Sequence, residues 1–418
     1  MAESISESLY DDVDLNDDAP EVLNTPEIPP EPKKAQNPQN SQIFKVKIAE
    51  FEKRGGFFDV HFVYRVETEV EGVAGYNRKR YDTWRRFTEF MDLHEKIVAK
   101  YRQKGVIIPQ PPEKKMSVMA KAMTATHTSQ DPEILQRARH LERFLNRLIQ
   151  HPRIQSDCDL RDFLTVEAAL PASSVKPDIS LGVLKAFNGF KDVIDKITIP
   201  IEETDQWFEK ANSSWEELDE NLRKLHAEAV GLVQHRKAMA LNGEMLAKSL
   251  SSLAASEDST TLSLALTSLT DTYEQSASIW SRQAEEHNAK FAEAVEEYLG
   301  LLESIRDVVA ERIHVWQQWK KAQKTLEELR SKLSTVDDLK VKELNREIHE
   351  TNEAKERLQK EFDEMSKAIK VEIERFEEER HEDMKNILVD FIQNMIQSHV
   401  QIAELWDQFA PYAQKIII

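Results

Sequence analysis

The chain has 418 residues, a formal net charge of −19 and one cysteine. That length leaves room for more than one domain. The acidic balance argues against a nucleic-acid-binding protein, whose footprint is usually basic, and Cys158 alone excludes an internal disulfide and is expected to be a buried or idle thiol.

No stretch approaches the roughly 20 apolar residues of a bilayer-spanning helix, and the acidic start MAESISESLYDDVDLNDDAP lacks a signal-peptide pattern, so a cytosolic protein is expected. Residues 1–40 carry ten acids against two lysines, interleaved with prolines. With few large apolar groups to bury, they are expected to be a disordered acidic tail. Residues 41–170 reverse the balance, with 23 basic against 18 acidic residues, an excess that an anionic ligand or surface would select. Alternation over 43–48, 57–66 and 78–86 predicts three antiparallel strands. Helical spacing follows at Phe90, Leu93, Ile97 and Tyr101, then a loop at Pro109-Gln110-Pro111-Pro112, then a helical run at Leu141, Phe144, Leu145 and Leu148 stopped by Pro152. A small α+β domain over 41–170 is the expectation.

Residues 171–200 read as a linker followed by an amphipathic stretch. Leu184, Phe187, Val193 and Ile194 fall largely on one face with Phe190 beside them, and lysines flank them. Such a segment can lie in a bilayer interface and favour curved membranes, or dock onto a bundle as a buried helix. Residues 201–418 are nearly free of glycine and proline, and sustained three-four spacing predicts three long helices broken near 256–260 and 334–338. Three such helices make a rod with little interior for a pocket. Lys320, Lys321 and Lys324, with Arg330 and Lys332 beyond, form a basic patch at the end of the second helix, either a membrane-touching tip or a solvated face.

Signatures of catalysis are absent: there is no glycine-rich phosphate loop, no His-Glu-x-x-His, no Gly-x-Ser-x-Gly and no Cys/His cluster with zinc spacing, so neither an enzyme nor a cofactor is expected. The segment Trp84-Arg85-Arg86-Phe87 is different. Two arginines end a strand and an aromatic stands at the mouth of a helix, which suits a phosphorylated cyclic polyol; the competing reading is a solvated charge pair beside a core phenylalanine. Further basic groups stand at Lys114 and Lys115, just after the proline-rich loop, and at Arg137, which is expected to open the next helix.

Arg86-Phe87 within WRRFTEF, Pro111-Pro112-Glu113-Lys114, and Arg137 ahead of LERFLNRLIQHPRI together resemble a phox-homology (PX) domain, with DLRDFL (159–164) as its closing helix. Downstream, RKLHAEAVGLVQHRKAMALN (223–242), IHVWQQWKKAQ (313–323) and VEIERFEEER (371–380) resemble the BAR domain of a PX-BAR sorting nexin of the retromer-associated subclass. The resemblance implies an α+β PX domain followed by an all-α BAR domain over 201–418. It implies that Arg86 contacts the 3-phosphate of phosphatidylinositol 3-phosphate, that Phe87 stacks on the inositol ring, that Lys114 reaches the 1-phosphate and Arg137 the 4- and 5-hydroxyls. It further implies a homodimer, or a heterodimer with another PX-BAR sorting nexin, acting with retromer on the cytosolic face of early endosome membranes. The alternative is a coiled-coil scaffold whose basic domain binds an acidic protein partner.

Overall fold

Strands β1 (Ile43–Arg54), β2 (His61–Glu71) and β3 (Arg80–Arg86) form an antiparallel sheet in the order β1-β2-β3. The computed structural model describes residues 43–55, 60–114, 117, 131–168, 170, 205–333 and 341–416; the acidic tail and the amphipathic stretch lie outside the described residues. β1 runs past the alternating stretch because a bulge between Ile48 and Glu50 resets its register, so that Val46 and Ile48 before it and Phe51 after it all reach the same core. Three helices cover that face. Helix α1 (Phe87–Tyr101) contributes Phe90, Leu93 and Ile97, α2 (Pro132–Gln150) contributes Ile134, Leu141 and Leu145, and α3 (Cys158–Thr165) contributes Leu160 and Phe163. Asp131 caps α2 by accepting the Glu133 N–H at 3.0 Å, with Pro132 in the first turn. Cys158 is exposed rather than buried.

Arg85 is fully buried. Its guanidinium donates to the carbonyls of Phe163 (2.9 Å), Ala168 (3.2 Å) and Val166, around the C-terminus of α3, where helical carbonyls lack intrahelical partners. Burial lowers its pKa, with Glu89 opposing.

The second part is built from α4 (Gln206–Ser256), α5 (Thr260–His287), α6 (Glu293–Leu333) and α7 (Val341–Gln414). Helices α5 and α6 are joined by a π turn, Asn288–Ala292, and together make the second of the three long helices. The 74 residues of α7 span about 110 Å at ~1.5 Å per residue. The seam between α6 and α7 holds Val295, Tyr298, Leu302 and Ile305 against Met365, Ile369, Ile373 and Phe376, and Phe208 and Trp215 of α4 close it. The first turn of α4 is pinned there: Asp205 caps it and pairs with Lys370 at 2.6 Å, while Arg312 sits 3.7 Å from the Phe208 ring centroid.

The sheet-and-helix part docks on this seam. Ile107 enters the bundle's own apolar cluster, and Gly105, at φ 75°, lies where a Cβ would come within 3.1 Å of the Met365 carbonyl. His151 Nε2 meets Glu372 Oε2 at 2.9 Å, both buried.

Two outcomes follow from buried groups. Arg85→Ala leaves the α3 carbonyls unsatisfied and opens a void, and is expected to lower stability by about 3–5 kcal/mol in urea unfolding; Arg85→Met, which refills the volume only, recovers a minor part. His287 is buried beside Phe391 (centroids 4.4 Å apart) and bonds the Arg236 guanidinium; burial first, then the Arg236 charge, lowers its pKa from 6.5 to about 4. Above pH 6.5 the imidazole is neutral in both states, while between 6.5 and 4 only the unfolded chain gains the proton. Stability therefore falls with falling pH through that window, and His287→Gln, which keeps an acceptor for Arg236, is expected to remove that part of the fall in the urea midpoint.

Candidate functional site

Strand parity separates the two arginines. Arg85 pairs with Tyr64 and Arg86 with Val63 across β2, so their side chains leave opposite faces of the sheet. Arg85 turns inward to the α3 carbonyls, whereas Arg86 is exposed. The backbone that presents Arg86 is held. Its N–H donates to Glu89 Oε2 at 2.7 Å as α1 begins, and the other Glu89 oxygen accepts the Leu170 N–H at 3.1 Å.

Phe87, half-buried at the rim of the core, lies under Arg137 of α2, whose guanidinium carbon is 4.6 Å from the ring centroid. Arg137 is buried, five residues into α2 and not at its opening. The same guanidinium stands near Tyr64, whose phenol pKa is raised by burial, with the Arg137 charge opposing. The structure therefore brings Phe87 and Arg137 together beside Arg86. Lys114 is exposed at the end of the described part of the proline-rich loop, and residues 109–113 of that loop line a cleft of about 360 Å³ together with Arg137. Lys115 lies outside the described residues, as do Leu184, Phe187, Phe190, Val193 and Ile194.

Beyond Arg312 and Lys370, where α4 begins, α6 and α7 continue as a two-helix arm, with Trp319 stacked on Phe362 at 6.2 Å. Lys321 and Lys324 are exposed on that arm, whereas Lys320 is half-buried with its ammonium 4.7 Å from the Trp319 ring centroid. No described helix is long and apolar enough to cross a membrane.

Sequence reasoning missed two features. One is an exposed apolar seam: Leu225, Leu232, Met239, Leu246 and Leu253 recur every seventh residue of α4, all at least 36% exposed, and Leu388, Ile392, Ile396 and Val400 form a second stripe on α7. The heptad spacing was its signal. The other is the basic stripe Arg139, Arg143, Arg147 on α2, at i, i+4 and i+8, which lies against bundle carboxylates.

Two family models match this chain: "PX domain" over residues 73–167 and "Vps5 C terminal like" over 183–412. Sorting nexin-1 of Mus musculus is 33% identical over 403 residues, covering 95% of this chain and 77% of the relative. Sorting nexin-2 of Homo sapiens is 32% identical over 384 residues, covering 90% and 74%. Among solved structures, the cryo-EM structure of the SNX-BAR Mvp1 tetramer aligns with a TM-score of 0.56 at 17% identity, covering 87% of this chain and 99% of that one, a likeness of fold. With an α+β module carrying the PX motifs and a long-helix module matching the Vps5 type, the chain belongs to the PX-BAR sorting nexins, among relatives of sorting nexin-1 and sorting nexin-2.

Proposed function

We propose that this protein binds phosphatidylinositol 3-phosphate in membranes, senses or imposes curvature, and sorts cargo for retrograde transport from early endosomes together with retromer. The observation that carries this reading is the cation-capped ring at the site: Arg137 over Phe87, beside the exposed Arg86. Arg86 takes the 3-phosphate as a bidentate fork, Phe87 supplies the apolar surface for the inositol ring, Arg137 donates to ring hydroxyls and Lys114 meets the 1-phosphate. Residues 184–194 insert their apolar side into the bilayer interface. Lys321 and Lys324, with Lys320 behind them, meet anionic lipid along the two-helix arm, 9 to 12 residues before Leu333 ends α6.

The exposed stripes on α4, at heptad spacing, and on α7, at every fourth residue, form the dimerisation seam, because a row of apolar side chains along one helix face buries itself against another helix. The partner is a second copy or another PX-BAR sorting nexin.

Two measurements test this. Arg86→Ala is expected to weaken binding to vesicles containing phosphatidylinositol 3-phosphate by about 2–4 kcal/mol without loss of fold; unchanged sedimentation with those vesicles removes Arg86 from the site. Light scattering of the full chain at micromolar concentration is expected to give a dimer mass, and Ile396→Glu with Val400→Glu a monomer. A dimer that survives both substitutions places the seam elsewhere.

A further inference from the structure

Helix α2 serves two clients. Its apolar positions are buried against the sheet, and Arg137 reaches the Phe87 ring, while Arg139, Arg143 and Arg147 point to the bundle. The receiving group is Glu293, the first residue of α6 after the π turn, only 1% exposed. Arg139 Nε donates to Glu293 Oε2 at 2.8 Å and its Nη2 to Oε1, while Arg143 Nη1 reaches Oε2 at 3.3 Å. Arg143 also donates to the Ala289 carbonyl inside the π turn, and Asn288 Nδ2 reaches Glu293 Oε1 at 3.0 Å. One turn of α6 further on, Arg147 bonds Glu297 Oε1 at 2.6 Å and, across to α7, Asp383 Oδ2 at 2.6 Å.

The loop that leads to Lys114 is anchored on the same helix. Asp307 Oδ2 accepts from Arg102 Nη2 at 3.0 Å and from Gln110 Nε2 at 3.2 Å. Glu293 and Asp307 are 14 residues apart on one continuous helix, a separation of about 21 Å. The cleft beneath the site lies between them, with Gly300 on its floor. The two arms around Arg86 and Phe87, one carrying Arg137 and the other Lys114, are thus fixed at two points of one rigid rod by directional, charge-assisted bonds.

We propose that Glu293 is a positioning residue. Through Arg139 and Arg143 it holds α2, and so sets the orientation of the head-group site relative to the bundle, so that one membrane engages both at once. The inference rests on the head-group reading above. The interior of the site is set by the sheet and by Phe87, and the anchor decides only where the site faces. Loss of the anchor leaves affinity for a soluble head group intact and lowers avidity for a surface, because the second contact no longer occurs at a high effective concentration.

The test uses the full chain with spin labels on the exposed native Cys158 and on a cysteine replacing exposed His314, diluted with unlabelled chain to suppress distances between protomers. Dipolar spectroscopy of the otherwise wild-type chain is expected to give one narrow distance distribution. Glu293→Gln is expected to broaden it, and so is Arg139→Gln with Arg143→Gln, which alters the more exposed side of the contact and guards against misfolding of the first variant. All three changes together are expected to broaden it no further than either set alone. Both variants are expected to bind soluble, short-chain phosphatidylinositol 3-phosphate within about twofold of wild type and vesicles carrying the same lipid at least about fivefold more weakly. Gly300→Ala, which adds a methyl where nothing lies within 4 Å, is the control and leaves all readouts unchanged. A distribution that stays narrow in both anchor variants overturns the proposal, as does a matching loss of soluble head-group affinity, which makes the network part of the site itself. A wild-type chain that binds no head group refutes the proposed function, and the distance distributions still judge the anchor.

Discussion

A carboxylate buried as deeply as Glu293 is tolerable only with cations fixed against it and its oxygens hydrogen-bonded, and that requirement organises the middle of the molecule. It demands the arginines at 139 and 143, which fixes how α2 and the module it belongs to sit against the bundle, while the packing of α2 on the sheet fixes where Arg137 meets Phe87. It also accounts for the π turn having work to do: the Ala289 carbonyl within it accepts a hydrogen bond from Arg143. An apolar contact of the same area would bind as well but would not distinguish one rotation from another, because burial of apolar surface is non-directional.

The charge of the α+β module takes on a different meaning once its partners are known. A net excess of basic residues over 41–170 suggests an anionic ligand, yet Arg85, Arg102, Arg139, Arg143 and Arg147 all have partners inside the chain. Much of the excess complements the acidic bundle. At the rim stand the exposed Arg86 and Lys114, with Arg137 over the Phe87 ring. The bundle gains correspondingly: Glu293, Glu297, Asp307 and Asp383 are neutralised where the module sits, which lowers the repulsion an acidic rod meets at an anionic surface.

Elements that follow a single period were legible in the sequence. The helix at Phe90, Leu93 and Ile97, the seam residues Tyr298, Leu302 and Ile305 of α6, and the break after residue 256 all appear where spacing and turn chemistry put them. What escaped was set by tertiary partners or by a local change of period. The bulge after Ile48 hides the second half of β1, because alternation read across it changes sign. The π turn interrupts a helical pattern without any proline or glycine to mark it. Arg85 and Arg86 are chemically identical neighbours, and only the pairing of β3 with β2 tells the buried one from the exposed one. The role of Glu293 depends on two arginines about 150 positions earlier, and no local pattern encodes that proximity.

The orientation of one module on the other comes from contacts that are both directional and spread out. Glu293 with Arg139 and Arg143, Arg147 with Glu297 and Asp383, Asp307 with Arg102 and Gln110, and Glu372 with His151 are such points on two helices, enough to fix a rigid body. Ile107 and Gly105 add close packing between them. Loss of any one polar point leaves the others in place, so the geometry predicts graded loosening of the joint instead of separation of the modules.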